Sequence, residues 1–521
     1  MDLSSSLAWT AERYPDRIGM VAASGRLTYR EWDARVNRIA NALLEQGVTP
    51  GDRVAMFLSN SEVLASTHLA AQRIGVMSTP LNIRLSPGEL AYCLDDARPS
   101  LVVTDDLAGE VAARALGSVE KRPWVLHAGS ATDEGQVPFE ELVARQSDRA
   151  PDVPVSDSDL GVMLYTSGTT GKPKGVPRTQ RAEWAASVAH VIQCRYVPGE
   201  RTLGAMPMYH TMGLRSLLSM VVVGGTFVEL PAFNADRALE LIQAEQITSL
   251  YLVPTAFWAL QQTGELATAG ASVRRLGFAG APMTSTLAGQ LQESLQPEVF
   301  VNHYGSSEIY TFSIEERAAD KPGSAGRPGV FSRLRVVGID EGGGELQDVP
   351  AGTTGEIVAS LASEEAFAGY WQRPDADARA IRDGWYHTGD LGTIDEDGDL
   401  WVAGRVDDMI ITGGENVHPV EVEDVLAKSK DVSQVAVVGL ADEKWGQAVT
   451  AFVVPTDTSD PVAAAERIEA WVRSDAELSP YKRPKRIVVV TEIPKNPVGK
   501  ILRRKLVAGE YTAAEPTTGA K

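Results

Sequence analysis

Cysteine is almost missing from this chain: 521 residues contain two, Cys93 and Cys194. Two thiols so far apart offer neither a disulfide framework nor the paired spacing of a metal site. Long apolar runs are missing too. No stretch of about 18 uninterrupted apolar residues occurs, which excludes a membrane-spanning helix. The opening MDLSSSLAWT lacks the basic region and apolar run of a secretory leader, so the expected location is the cytoplasm. Positive charge is in deficit, with 49 Lys and Arg against 69 Asp and Glu and a net charge of −20, which disfavours nucleic-acid binding. One segment reverses that balance. From Lys482 to Lys505 the chain carries nine Lys or Arg and a single acid, Glu492, either a solvated basic face or a seat for a polyanionic small molecule.

With 44% apolar and 23% charged residues the chain reads as folded and globular, and its length calls for two or more domains. Helix and apolar strand alternate along it. Thr28 and Glu31 form a capping box before Trp32, Val36, Ile39 and Leu43, a helical stripe that stops at Gly47, and the strand RVAMFLS follows. RALELIQAEQITSLYLVPT reads as helix then buried strand; VRRLGFAGAPM and EVFVNHYGSSE each read as a strand opening into a loop. The fold class expected is α/β, with parallel-rich sheets flanked by helices and ligands at the carboxyl ends of the strands. After about residue 400 the pattern becomes that of a small α+β unit. The expected domains are therefore 1–406 and 407–521, with a frayed tail.

The stretch YTSGTTGKPKG, residues 165–175, holds three Gly, two Lys and four Ser or Thr hydroxyls. Gly lets backbone N–H groups approach an anion, and hydroxyls with a Lys complete its shell. A P-loop is excluded, because Lys172 is followed by Pro173 where that loop needs Ser or Thr to reach magnesium.

Four further motifs follow in order: YGSSE, YHTGD, GRVDDMIITGGENVHP and PKNPVGKI. With the Gly-rich loop they make the chain resemble, over nearly its whole length, the adenylate-forming superfamily of acyl-CoA synthetases, adenylation domains and luciferases. FAGAPM and KRPKRIVVV look most like 4-chlorobenzoate and benzoate CoA ligases. The resemblance implies an AMP-forming acid–thiol ligase that uses ATP, Mg2+ and coenzyme A on a small aryl or alicyclic carboxylic acid. It names no nucleic-acid or membrane partner, and self-association as a homodimer stays open. A carboxylate must attack the α-phosphorus of ATP, an encounter of two anions that needs positive charge at the reacting centre.

By the same resemblance, Thr166, Ser167, Gly168, Thr169, Thr170, Gly171 and Lys174 cradle the β- and γ-phosphates. Gly280, Ala281 and Pro282 line the nucleotide pocket, Tyr304 flanks adenine beside Gly305, and Ser307 stands where the family usually has Thr. Glu308 ligates magnesium, with Thr166 as a further metal contact. Asp390 accepts the ribose hydroxyls, and Arg405 is a second ribose and phosphate contact. Lys500 is the catalytic cation that bridges the acid and the α-phosphate; Lys495 nearby has no implied chemistry.

Residues His210, Thr211, Met212, Tyr251, Ala279, His303, Ile309 and Tyr310 surround the acyl group, with His210 as a gate between the carboxylate and thiol paths. His303, where 4-chlorobenzoate and benzoate CoA ligases usually have an apolar neighbour, either bonds a ring substituent or is a core histidine satisfied by backbone. Coenzyme A falls to Arg84, Gly413, Gly414, Trp445, Tyr481, Arg483 and Lys485, and the small domain turns about a hinge at Asp407. Three other readings compete: a short- or medium-chain fatty acid CoA ligase, a luciferase-like oxidase, and a non-catalytic nucleotide sensor. The C-terminal TGAK lacks the peroxisomal signal common in luciferases, and a sensor should have lost Glu308 or Lys500.

Overall fold

The computed structural model describes residues 3–129, 136–166, 172–339, 346–412, 415–474, 478–496, 499 and 501–514. By packing, the chain divides into two compact units, Met1–Leu334 with Ala359–Tyr386, and Arg335–Val358 with His387–Lys521. This differs from a cut at 406/407. Strands Leu334–Val337, Gly355–Ser360, Trp385–Ile394 and Leu400–Arg405 follow one another in a single ladder, which keeps the segments at 335–358 and 387–405 together.

The first unit is built on two sheets. One runs Gln136–Pro138, Trp124–His127, Leu101–Thr104, Arg53–Phe57, Met77–Pro80, Leu160–Thr166 and Lys174–Thr179. It is parallel until the last pair, which is antiparallel. The other has a parallel centre of Val299–Tyr304, Arg275–Ala279, Ser249–Leu252, Arg201–Gly204, Thr226–Glu229 and Ile18–Ala22, with antiparallel strands at both edges. Helices Gln180–Gln193 and Thr211–Val223 pack on each other between the sheets, the former on strands Leu160–Thr166 and Lys174–Thr179, the latter on the second sheet. Buried on nearly every face, Thr211–Val223 reads TMGLRSLLSMVVV, almost without an outer polar stripe.

Local signals hold where they were strongest. Thr28 caps helix Tyr29–Glu45 with both arms of the capping box made, and Gly47 takes φ +81 just beyond its end. The expected strands at 53, 160, 249, 275 and 299 all form. The antiparallel return of Lys174–Thr179 was not foreseen. This strand is a sheet edge, which is where its Pro177 is tolerated, and Gly175 accepts the N–H of Trp371 at 2.9 Å.

In the second unit a five-stranded sheet orders Glu415–Val417, Ile410–Thr412, Gly446–Pro455 and Val432–Asp442, with Arg486–Val489 on Gly446–Pro455. Helices Pro419–Leu426 and Pro461–Ser474 contribute Val422, Leu426, Ile468 and Val472 to one core with Val437, Val449 and Val453. Among the described residues no helix is long and apolar enough to cross a membrane.

Candidate active site

The Gly-rich loop hangs from the antiparallel pair Leu160–Thr166 and Lys174–Thr179, in which Thr166 faces Lys174 and Tyr165 faces Gly175. Ser167, Gly168, Thr169, Thr170 and Gly171 lie outside the described residues. Tyr165 anchors the base of the pair by donating to Asp96 Oδ2 at 2.6 Å. Half-buried Lys174 sets its Nζ 4.3 Å from the centroid of the Tyr370 ring. Burial lowers its pKa, and the Glu308 carboxylate works in the opposite direction. Tyr370 in turn donates its hydroxyl to Glu308 Oε1 at 2.7 Å. The fold thus gathers Lys174, Tyr370 and Glu308, from three distant stretches of chain, into one cluster at the base of the loop.

Glu308 is held by local design. Strand Val299–Tyr304 ends at Tyr304, whose ring lies 5.1 Å from that of Phe312. At Gly305 any Cβ would fall 2.0 Å from the Tyr310 carbonyl oxygen, so only glycine passes. Ser306 Oγ then accepts the N–H groups of Glu308 at 3.2 Å and Ile309 at 3.4 Å. Fully buried Arg178 donates through Nη1 to the carbonyls of Ser307, Glu308 and Glu365 at 3.3, 3.2 and 2.7 Å.

Arg178 belongs to a buried charge network that the sequence reading missed. Its Nε donates to Glu183 Oε1, and Arg215 Nη2 donates to Glu183 Oε2 at 2.9 Å. The two guanidinium carbons lie 3.6 and 4.4 Å from the centroid of the Tyr310 ring. Nearby Glu365 accepts the Thr311 N–H at 3.1 Å, and burial pushes its pKa up to about 7. The sequence signals were Arg178 in the buried strand KGVPRT and Arg215 inside the apolar helix TMGLRSLLSMVVV.

Around the expected acyl pocket, His210 caps helix Thr211–Val223 through its backbone, with Leu214 N–H donating to its carbonyl at 3.3 Å. Burial holds the pKa of its imidazole down at about 4, and among the described residues Nε2 has no hydrogen-bond partner. Met212, Tyr251, His303, Ile309 and Tyr310 are buried, while Thr211 and Ala279 are half-buried. Gly280 and Pro282, just past the end of strand Arg275–Ala279, are exposed, with Ala281 half-buried between them. His303 is held by side chains, not by backbone: Nε2 is 3.2 Å from Gln193 Nε2 and Nδ1 is 3.2 Å from the Tyr251 hydroxyl. Burial keeps it neutral, with a pKa lowered to about 3.

In the second unit Asp390 and Arg405 stand opposite each other on antiparallel strands, joined Nη1 to Oδ1 at 2.9 Å. Val406–Asp408 forms one 3₁₀ turn between strands Leu400–Arg405 and Ile410–Thr412. Gly413, Gly414 and Lys500 lie outside the described residues. Thr412 pairs with Gly446, the neighbour of Trp445, and the Trp445 ring carries Lys444 Nζ at 4.7 Å and Lys485 Nζ at 5.5 Å. Tyr481 is exposed, whereas the Arg483 guanidinium already donates to the Leu478 and Arg473 carbonyls. Arg84 is exposed in the first unit, where its charge opposes the effect of burial on Tyr209.

The hairpin that carries the Gly-rich loop thus has a cation and a carboxylate at its base, and comparison with known proteins identifies the class of the chain. Residues 7–371 match the AMP-binding enzyme family and residues 421–500 match the AMP-binding enzyme C-terminal domain; the chain belongs to this family. It is similar to the feruloyl-CoA synthase of Amycolatopsis sp, at 37% identity over 484 residues and 92% of each chain. With the 4-chlorobenzoate–CoA ligase of Arthrobacter sp it shares 33% identity over 522 residues, 98% of this chain and 96% of that one. Among solved structures, the anthranilate CoA ligase AuaEII in complex with anthranoyl-AMP matches with a TM-score of 0.90 at 26% identity, covering 98% of this chain and 97% of that one.

Proposed function

We propose that the chain joins a small aryl carboxylic acid to coenzyme A. It is an ATP-dependent ligase of the AMP-forming kind that uses ATP, Mg2+ and coenzyme A. The acid carboxylate attacks the α-phosphorus of ATP and pyrophosphate leaves; the thiol of coenzyme A then attacks the acyl carbon and AMP leaves. The observation that carries this reading is the cluster of Lys174, Tyr370 and Glu308 at the base of the Gly-rich loop.

Each member of the cluster has a physical reason to be there. Lys174 supplies positive charge to phosphates held by the loop residues Thr166, Ser167, Gly168, Thr169, Thr170 and Gly171. Tyr370 orients Glu308 through one carboxylate oxygen, and the other suits a hard cation, so Glu308 with Thr166 would hold Mg2+, which neutralises phosphate charge when bound. Tyr304 offers a face to adenine beside the backbone of Gly280, Ala281 and Pro282 and next to Gly305 and Ser307. Arg405 pairs with Asp390 and so holds that carboxylate ready to accept ribose hydroxyls.

Lys500 bridges the acid and the α-phosphate in the first step, and rotation of 407–521 about Asp407 then exchanges it for the thiol path. That path takes in Gly413, Gly414 and Trp445, with Lys485, Tyr481, Arg483 and Arg84 for the nucleotide of coenzyme A. His210, neutral at working pH, gates it.

The aryl preference is supported by relatives named for ferulate and 4-chlorobenzoate and by a compact, aromatic-rich lining. Its test is ATP–pyrophosphate exchange over benzoates, cinnamates, alicyclic acids and fatty acids, followed by thioester formation with coenzyme A. Exchange with an aryl acid and thioester formation dependent on coenzyme A are expected. Fatty acids outperforming every aryl acid would overturn the assignment of the acid, and exchange without any thioester would overturn the ligase.

A further inference from the structure

A line of hydrogen bonds at the inner end of the acyl region has a direction that can be worked out from its first member. Gln193, on helix Gln180–Gln193, accepts the backbone N–H of Val330 at its Oε1 at 3.0 Å. A backbone N–H can only donate, so the amide orientation follows, and its NH2 group faces His303 Nε2 at 3.2 Å. The NH2 group can only donate as well. His303 Nε2 is therefore the acceptor, the proton of the neutral ring sits on Nδ1, and Nδ1–H donates to the Tyr251 oxygen at 3.2 Å. Tyr251 is left with its own hydroxyl proton, and among the described residues no group accepts it. The side chain is buried, at 4% exposure, where a donor left without an acceptor is costly.

Register explains how Tyr251 reaches His303 and which small residues stand beside them. Tyr251 pairs with Gly277, and a Cβ at 277 would come within 2.9 Å of the Tyr251 ring, so the missing side chain lets that ring lie across the middle strand. His303 pairs with Ala279, a small residue at the carboxyl end of its strand; exposed Gly280 comes next along the chain, and exposed Gly305 lies two residues beyond His303. Ala279, Gly280 and Gly305 thus present little side chain just outside the polar pair, with Tyr304 the one large residue between His303 and Gly305. His190 closes the inner side, its ring 4.6 Å from Tyr251 and 5.0 Å from His303. Nitrogens of His190 and His303 and the Cys194 sulfur come within 4.8 Å of one another. In the assigned arrangement, however, the Nε2 lone pair of His303 is occupied by the amide and Nδ1 carries a proton, so His303 is not set to ligate a metal.

We propose that Tyr251 donates its hydroxyl proton to an oxygen substituent on the ring of the acid, so that the enzyme selects hydroxy- or methoxy-aryl acids over their methyl or unsubstituted counterparts. This rests on the ligase reading. The experiment is pyrophosphate exchange with matched benzoates and cinnamates carrying hydroxyl, methoxyl or methyl at each ring position. The wild type should favour the best oxygen-bearing acid over its methyl isostere by about tenfold or more in kcat/KM. Tyr251→Phe should lose about ten- to a hundredfold on that acid and less than about threefold on the methyl acid. Gln193→Glu leaves the tyrosine in place but turns the amide donor into an acceptor, which moves the His303 proton to Nε2 and makes Nδ1 take the tyrosine proton. It should abolish the same preference. Methyl acids exchanging as well as oxygen-bearing ones in the wild type, or equal losses on both classes in Tyr251→Phe, would overturn the inference and leave the ligase standing. No exchange with any carboxylic acid would overturn both.

Discussion

Glu183→Gln isolates what burial does to an ion pair. In the wild type one carboxylate, 0% exposed, serves two guanidiniums that are 0% and 4% exposed. The amide keeps the shape and one acceptor but removes the charge, leaving Arg178 and Arg215 cationic in the interior with Glu365 as the nearby acid among the described residues. Breaking a buried pair from one side costs about 3–5 kcal/mol, because the surviving charge stays desolvated. With an unfolding entropy of about 2.1 cal/mol/K per residue over roughly 360 residues, 4 kcal/mol lowers Tm by about 5 °C.

The control is Arg181→Ala. Arg181 reaches Glu364 at 2.8 Å, as close as Arg215 comes to Glu183, but the side chains are 59% and 46% exposed. Water already solvates both, so its loss should not be measurable. Urea and thermal unfolding, followed by far-ultraviolet circular dichroism, would compare the two variants. Because Arg178 holds the carbonyls of Ser307 and Glu308, Glu183→Gln should also weaken pyrophosphate exchange. If it is no less stable than Arg181→Ala, the network contributes nothing and the reasoning fails.

Glu365, raised by burial to about 7, keeps a proton in the folded chain that the unfolded chain releases near 4.5. The folded state therefore binds more protons across that window, and stability should fall as pH rises from about 4.5 to 7, by about 3 kcal/mol in total; in Glu365→Gln a pH series of unfolding curves should lose this slope, and an unchanged slope would refute the assignment. Lys500→Ala should lower adenylation at least about a hundredfold while chemically supplied acyl adenylate still reacts with coenzyme A, and equal loss of both steps would count against its role. Asp407→Pro should leave pyrophosphate exchange within roughly threefold and cut thioester formation about a hundredfold, if the proline φ suits the adenylating pose; acyl-CoA made at the wild-type rate would show that the hinge lies elsewhere.

What the sequence determined by itself was whatever depends on neighbours along the chain. The capping box of Thr28 and Glu31, the strands at 160, 275 and 299, and five ordered motifs are all local, and they were enough for the family, its cofactors and the α/β class. Tertiary structure decided the rest. That KGVPRT returns antiparallel beside its predecessor depends on which strand edge is open, and the meeting of Lys174, Tyr370 and Glu308 depends on that return. Arg178 looks like an error in a buried strand until Glu183 and three carbonyls surround it. The direction of the Tyr251 hydroxyl is set by a backbone N–H at Val330, through Gln193 and His303, and its reach by the absence of a side chain at Gly277. Propensity and motif spacing carry no record of such contacts, because hydrogen-bond direction and burial belong to the packed neighbourhood and not to any one stretch of chain.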